Sequence, residues 1–162
     1  RNGLLQPYRQ AFSFTEAAKE VIVLQENIAG AKGIKIYNHI DRPFTGYADV
    51  NMMKTVLRNL LSNAIKFSYT GGRIDVDCRE ENGSLTVIVK DRGQGIGEEH
   101  QQGLLDDGLH FISYGTQKEK GSGLGLQLCK DFVKMNHGKL WFESKEGKGT
   151  TFYFSVPVEE SL

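Results

Sequence analysis

Asn59-Leu60-Leu61-Ser62-Asn63-Ala64-Ile65-Lys66-Phe67 closes a long helical pattern that opens near Asp49. At about 100° per residue, Asn59, Asn63 and Lys66 fall within about 60° of one another on the helical wheel. Val50, Met53, Leu57, Leu60 and Ala64 form an apolar stripe roughly a third of a turn away. Two amides and an amine thus make one polar line beside a buried seam. Amide oxygens can ligate a hard cation such as Mg²⁺, and an ammonium can meet phosphate as a point charge. The same line also reads as a solvated helix face, and the rest of the chain decides between the two.

Toward the N-terminus, residues 1–10 carry Gly3 and Pro7 and read as a connector. Phe12-Ser13-Phe14 reads as a short edge strand. Thr15 is then an N-cap for a helix reaching about Ala31, with Ala18, Val21, Ile22, Leu24, Gln25 and Ile28 at helical spacing and Gly30 and Gly33 ending it. Residues 34–40 alternate as a strand, the Pro43–Gly46 region is a loop, and Asp49 caps the next helix.

Toward the C-terminus, Gly71-Gly72 breaks the pattern. Ile74, Val76 and Cys78 alternate with charged residues as a half-buried strand, and Asn82-Gly83 turns it into a second strand rich in β-branched residues. A polar, glycine-bearing stretch runs from Asp91 to Gly123, with a short helix near residues 98–105. Stretches this long inside a domain are usually functional lids. Helical spacing returns over residues 124–135, with Leu128, Cys129, Phe132 and Val133 as its core face, and strands at 140–144 and 151–156 finish the chain. Hairpins mixed with helices predict an α+β fold, a two-layer α/β sandwich whose mixed, mostly antiparallel sheet carries helices on one face.

The 162 residues suit one well-packed domain, with 39% apolar and 25% charged residues. Twenty basic and twenty acidic residues cancel, so net charge points to no nucleic-acid partner. No apolar run reaches membrane-spanning length, so no membrane contact is expected of this stretch. Cys78 and Cys129 lack C-x-x-C spacing and read as buried free thiols of a reducing compartment. The chain opens on Arg1 and reads as a piece of a longer protein.

Three glycine-bearing segments carry chemistry. Asp91-Arg92-Gly93-Gln94-Gly95-Ile96-Gly97 follows a strand; an Asp there can accept from an exocyclic amine while glycines admit a flat ring, or the segment is simply a tight turn. Gly121-Ser122-Gly123-Leu124-Gly125-Leu126 opens a helix whose free N–H groups and dipole suit an anion, and it also reads as a glycine hinge. It matches neither a Walker loop nor a Rossmann fingerprint. Gly147-Lys148-Gly149-Thr150-Thr151-Phe152 by itself reads as a hairpin turn entering a strand.

In this fixed order the four segments resemble the N, G1, G2 and G3 boxes of the ATP-binding catalytic domain of sensor histidine kinases, in the superfamily shared with gyrase, Hsp90 and MutL. The resemblance implies the Bergerat-type ATP-binding fold over residues 11–158, a tail at 159–162, and ATP with Mg²⁺. It implies Mg²⁺ ligation by Asn63, phosphate contact by Lys66, and nucleotide packing by Phe67. Asp91 would take the adenine amine with help from Thr150; Gly93 and Gly95 would admit adenine against Ile96. Tyr114, Gly115, Thr116, Gly121, Ser122, Gly123, Leu124, Gly125 and Leu126 would line the nucleotide from the lid, with backbone N–H groups of the glycine turn on the phosphates. Lys118 or Lys120 would reach the γ-phosphate. The F box is the poorest match: Phe111 is present, but Leu104-Leu105 stands where a second aromatic is common.

Two departures matter. ATP-hydrolysing branches of that superfamily carry Glu where this chain has Asn59, and an amide cannot serve as a general base. Asn59 therefore favours phosphoryl transfer over hydrolysis. No acceptor-box histidine is present either: His39, His100, His110 and His137 all read as ordinary surface or core residues. The implied reaction carries the γ-phosphate to a histidine on a separate dimerisation domain, with a response-regulator receiver domain downstream. The implied setting is a cytoplasmic, monomeric domain of a homodimeric parent, whether membrane-anchored or not. A serine-kinase or anti-sigma-type switch and a non-catalytic ATP-binding module are the alternatives.

Overall fold

The stretch around Asn59 folds as an 18-residue helix, Val50–Phe67. Asp49 caps it as expected, its carboxylate accepting from Met52 N at 3.1 Å. Met53, Val56, Leu57, Leu60 and Leu61 are fully buried on its inner side. The computed structural model describes residues 5–104, 113–114, 120–121 and 124–160.

In chain order the elements are β1 Gln10–Ser13, α1 Phe14–Ala31, β2 Lys35–Asn38, β3 Thr45–Ala48, α2 Val50–Phe67, β4 Arg73–Glu81 and β5 Ser84–Asp91. Then come α3 Glu98–Gln101, β6 Ser113–Tyr114, β7 Lys120–Gly121, α4 Leu124–Met135, β8 Lys139–Lys145 and β9 Gly149–Pro157. The main sheet has the order β2-β4-β5-β9-β8. β2 runs parallel to β4 and every other neighbour is antiparallel. The inward residues Ile74, Val76, Leu85, Val87, Val89, Phe154 and Val156 meet the helices, so one face of the sheet is covered. This is the α+β sandwich the alternation predicts. Asn82 and Gly83 both take positive φ, 55° and 78°, as a two-residue hairpin of type I′ demands.

Several expectations are corrected. Helix α1 starts at Phe14, and its cap is Ser13, whose hydroxyl accepts from Glu16 N at 3.2 Å. Thr15 is committed elsewhere: its hydroxyl donates to Arg42 O (2.8 Å) and accepts from Phe44 N (2.9 Å), pinning the Pro43 loop. That loop runs into a strand the sequence hid, because β3 pairs β1 in a separate two-stranded ribbon. Gly46 permits it: a side chain there would press within 3.2 Å of the Phe12 ring. Leu24 and Ile28 fit the helical period yet lie 64% and 55% exposed. On α4 the core face uses Leu126, Cys129 and Val133, while Leu128 is 39% exposed. Cys78 and Cys129 are buried free thiols, and burial pushes both up to about 12. No helix among the described residues is long and apolar enough to cross a membrane.

Candidate nucleotide site

A cavity of about 510 Å³ opens between α2, the segment after β5, the start of α4 and the β8–β9 turn. One wall is the polar line of α2. Asn59, Asn63, Lys66 and Phe67 all border the cavity, because spacings of four and three residues keep them on one side of the helix. The Lys66 ammonium sits 4.6 Å from the centre of the Phe67 ring, at this end of the wall. Opposite Asn59 stands Gly125, where a side chain would come within 3.6 Å of the Asn59 amide oxygen. The first turn of α4 therefore faces the amide of α2 across a narrow gap.

Near the C-terminal end of α2 lies Asp91, the last residue of β5 and only 5% exposed. Its Oδ1 accepts from Gly93 N at 2.8 Å and from Thr150 N at 3.2 Å. Burial pushes the carboxyl up to about 6, against the opposite pull of these two N–H groups. One oxygen is thus saturated by the backbone, and the other is left to accept from whatever enters the cavity. Thr150 Oγ1 lies 2.7 Å from Ser144 Oγ, which also accepts from Ile96 N at 2.9 Å. Gln101 Nε2, at the end of α3, donates to Ile96 O (2.7 Å) and Ser144 O (3.1 Å).

The glycines of the Asp91–Gly97 segment also serve close backbone packing. A side chain at Gly93 would sit 1.9 Å from Phe67 O, and Gly93 does not border the cavity. Gly95, at φ +70°, would collide with Lys145 O at 2.2 Å. The segment is wedged between the end of α2 and the β8–β9 turn, with Gln94 N donating to Phe67 O (3.0 Å) and Gly147 N to Gln94 O (2.8 Å). The glycines allow this close backbone packing, and the packing fixes Asp91 relative to α2. Arg92, next in the chain, is held to β4 by Asp75 at 3.0 Å. Burial pushes the Asp75 carboxyl up, but hydrogen bonds from Arg73, His39 and Arg92 outweigh it and hold it below the usual carboxylate range.

Of the residues singled out from the sequence, Asn59, Asn63, Lys66, Phe67, Asp91, Gly95, Ile96, Gly125, Leu126 and Thr150 meet in this one cavity. Tyr114 falls in β6, Lys120 and Gly121 in β7, and Leu124 begins α4. Gly115, Thr116, Lys118, Ser122, Gly123 and Phe111 lie outside the described residues. Sequence reasoning missed Ala64, Gln94, Gly97, His100, Leu104, Glu146 and Phe152, all of which line the cavity. Ala64 and Phe152 carry an apolar signal shared with the core. Gln94 and Gly97 stood inside a motif already singled out, and His100 and Glu146 had no local signal. His39 is a surface histidine against Asp75, as an ordinary reading has it.

No group of three His, Cys, Asp or Glu that could hold a metal occurs among the described residues. The amides of Asn59 and Asn63 offer neutral oxygen donors instead. That set fits Mg²⁺ arriving with a polyphosphate, which keeps several waters and needs few protein ligands, rather than a caged resident ion.

The profile of the family described as histidine kinase-, DNA gyrase B- and HSP90-like ATPases matches residues 48–160. The adaptive-response sensory kinase SasA of Crocosphaera subtropica is 31% identical over 159 residues, covering 97% of this chain and 41% of that protein. The chain spans less than half the length of the curated relatives it matches. Among solved structures, the nucleotide-free catalytic domain of histidine kinase ThkA superposes with a TM-score of 0.77 at 28% identity, covering 93% of this chain and 95% of that one. ThkA in complex with the response regulator TrrA gives 0.74 at 25% identity, over 93% of this chain and 42% of that one. An α2 wall of two amides and a lysine, a buried carboxylate at the end of β5, and a matching profile over most of the chain lead to one assignment: the chain belongs to the histidine kinase-, DNA gyrase B- and HSP90-like ATPases.

Proposed function

We propose that this domain, residues 11–158 behind a connector at 1–10, binds Mg-ATP and donates its γ-phosphate to a histidine on a separate dimerisation domain. The observation that carries the reading is Asp91: a buried carboxylate bordering the cavity, with one oxygen held by two backbone N–H groups, so that the other would accept from an exocyclic amine. Adenine then lies at that end, between Phe67 and Ile96, with Thr150 joining through water. The phosphates extend along α2 toward Lys66, Asn63 and Asn59 and meet the N–H groups of residues 121–126 at the start of α4. Lys118 or Lys120 would meet the γ-phosphate, and Tyr114, Gly115 and Thr116 would line the nucleotide. Mg²⁺ held by Asn63 would neutralise charge on the phosphate oxygens.

Asn59 holds no base, so water is not activated at this wall. The acceptor imidazole nitrogen attacks the γ-phosphorus in line, the bond to the β–γ bridging oxygen breaks, and ADP leaves while the imidazole gives up its proton. The domain's contribution is position and charge neutralisation. ThkA has been captured with a response regulator, which supports a receiver domain as the next acceptor. A cytoplasmic setting follows from the ATP supply.

Calorimetry with Mg-ATP tests the core of this reading. Saturable binding is expected, and Asn63→Ala should lower affinity with Mg²⁺ present while changing it little in EDTA. No heat at millimolar nucleotide would sink the proposal. Mixing the domain with a dimerisation domain that carries a histidine should give acid-labile phosphate; acid-stable phosphoserine would assign it to a serine-kinase branch instead.

A further inference from the structure

Helix α2 leaves its last four carbonyls without intrahelical partners, as every helix does. Ala64 O and Ile65 O accept from Ser68 N at 3.0 and 3.3 Å. Phe67 O accepts from Gln94 N in the segment that holds Asp91. Lys66 O has a partner from another element: the ammonium of Lys32, which donates to Lys66 O at 2.9 Å and to Ile65 O at 3.0 Å.

Lys32 follows the last turn of α1 and is only 6% exposed. A lysine this buried is rare unless its charge is met. Here the charge lies on the axis of α2, against the negative end of the helix dipole, where a cation is favoured. Its own carbonyl accepts from Gly71 N at 3.1 Å, so the turn after α1 grips the turn after α2 on both sides. The gripped turn carries Lys66 and Phe67, two residues of the cavity wall, and one residue further on it receives Gln94 and packs against Gly93.

We infer that Lys32 is a positioning residue for nucleotide binding. It does not itself border the cavity. It fixes the last turn of α2, and through Phe67 O and Gln94 N it sets the segment that places Asp91. The turn it fixes carries Phe67 and receives the Asp91 segment at the adenine end, so adenosine is affected as well as ATP. This inference rests on the adenine reading given above.

Lys32→Met keeps the apolar stem and removes both bonds. Dissociation constants for adenosine and for Mg-ATP should each rise about tenfold, measured well below the thermal transition. Hydrogen exchange at the Gln94 amide should quicken by a similar factor with no nucleotide present. Ile22→Ala, a buried truncation on the same helix, is the control for general destabilisation; it should leave both constants and Gln94 exchange within about twofold of wild type. Should Lys32→Met not fold, Lys32→Gln, a milder loss of the same bonds, takes its place. A variant within twofold of wild type, or one no worse than Ile22→Ala, overturns the inference. Wild-type protein that binds neither ligand overturns the adenine reading, and Gln94 exchange still decides the role of Lys32.

Discussion

Asp91 holds two opposed demands in one side chain. Its carboxyl is pushed up to about 6 by burial, whereas the unfolded chain titrates near 3.8. The folded state therefore binds the proton more tightly. The stability this contributes is complete below about pH 4, and it is lost as pH rises through about 6. A proton held that much more tightly in the folded state is worth roughly 2–3 kcal/mol. Asp91→Asn keeps an amide oxygen for Gly93 N and Thr150 N and carries no charge. Urea titrations at pH 4.5 and 7.5 should show the variant gaining on wild type by that order between the two values; parallel curves would refute the assignment. Binding should move the other way. An amide nitrogen in place of the second oxygen opposes an amine donor to donor, so adenosine affinity should fall at least a hundredfold. For wild type, affinity should decline as pH drops below about 6, where that oxygen gains its proton. A more stable and less functional variant is the signature of a buried binding carboxylate.

At the scale of elements, α2 is tied down at both ends by partners distant in sequence. At its start, one oxygen of Asp49 caps Met52 N and the other accepts from Tyr8 N at 2.8 Å. The Asp49 N–H in turn donates to Asn136 Oδ1 at 2.7 Å, and Asn136, fully buried after α4, donates from its amide nitrogen to Phe132 O at 2.7 Å. The start of α2 and the end of α4 are thereby joined, which helps keep Gly125 beside Asn59. Asp49→Ala should cost about 1–2 kcal/mol in urea unfolding, and Asp49→Asn should recover most of it. Loss of less than half a kcal/mol would show that the cap is replaced by water. The end of α2 is capped by Ser68, next in the chain, and held by Lys32 and Gln94 from two other parts of it.

On the scale of the molecule, one core joins helices and sheet. Phe14 opens α1 and meets Phe154 of β9 edge to face at 6.3 Å, both rings essentially inaccessible to solvent. Phe154→Ala should destabilise by about 3–5 kcal/mol, read as a fall in the urea midpoint with unchanged slope, because the cavity left behind cannot collapse between two layers. A loss below 1 kcal/mol would mean the layers repack. By itself the sequence determined the sandwich, the type I′ hairpin, the Asp49 cap and the polar line of α2. Each is written in a period of 2 or 3.6 or in a turn pair, and such signals act over a few residues. It also brought Asp91, Gly95, Ile96 and Thr150 into view, since they sit in glycine-marked segments. Tertiary structure alone decided the rest. β3 is a strand because β1 lies beside it, and Leu24 and Ile28 stay exposed because, among the described residues, no element covers that side of α1. Gly93 is a packing contact because Phe67 O lies against its side-chain position. Lys32 carries no local signal in the sequence; only the fold brings its ammonium to the carbonyls of α2, across 33 and 34 residues of chain. Hydrogen bonds between distant segments leave no periodic trace in sequence, and they set where the wall of this site stands.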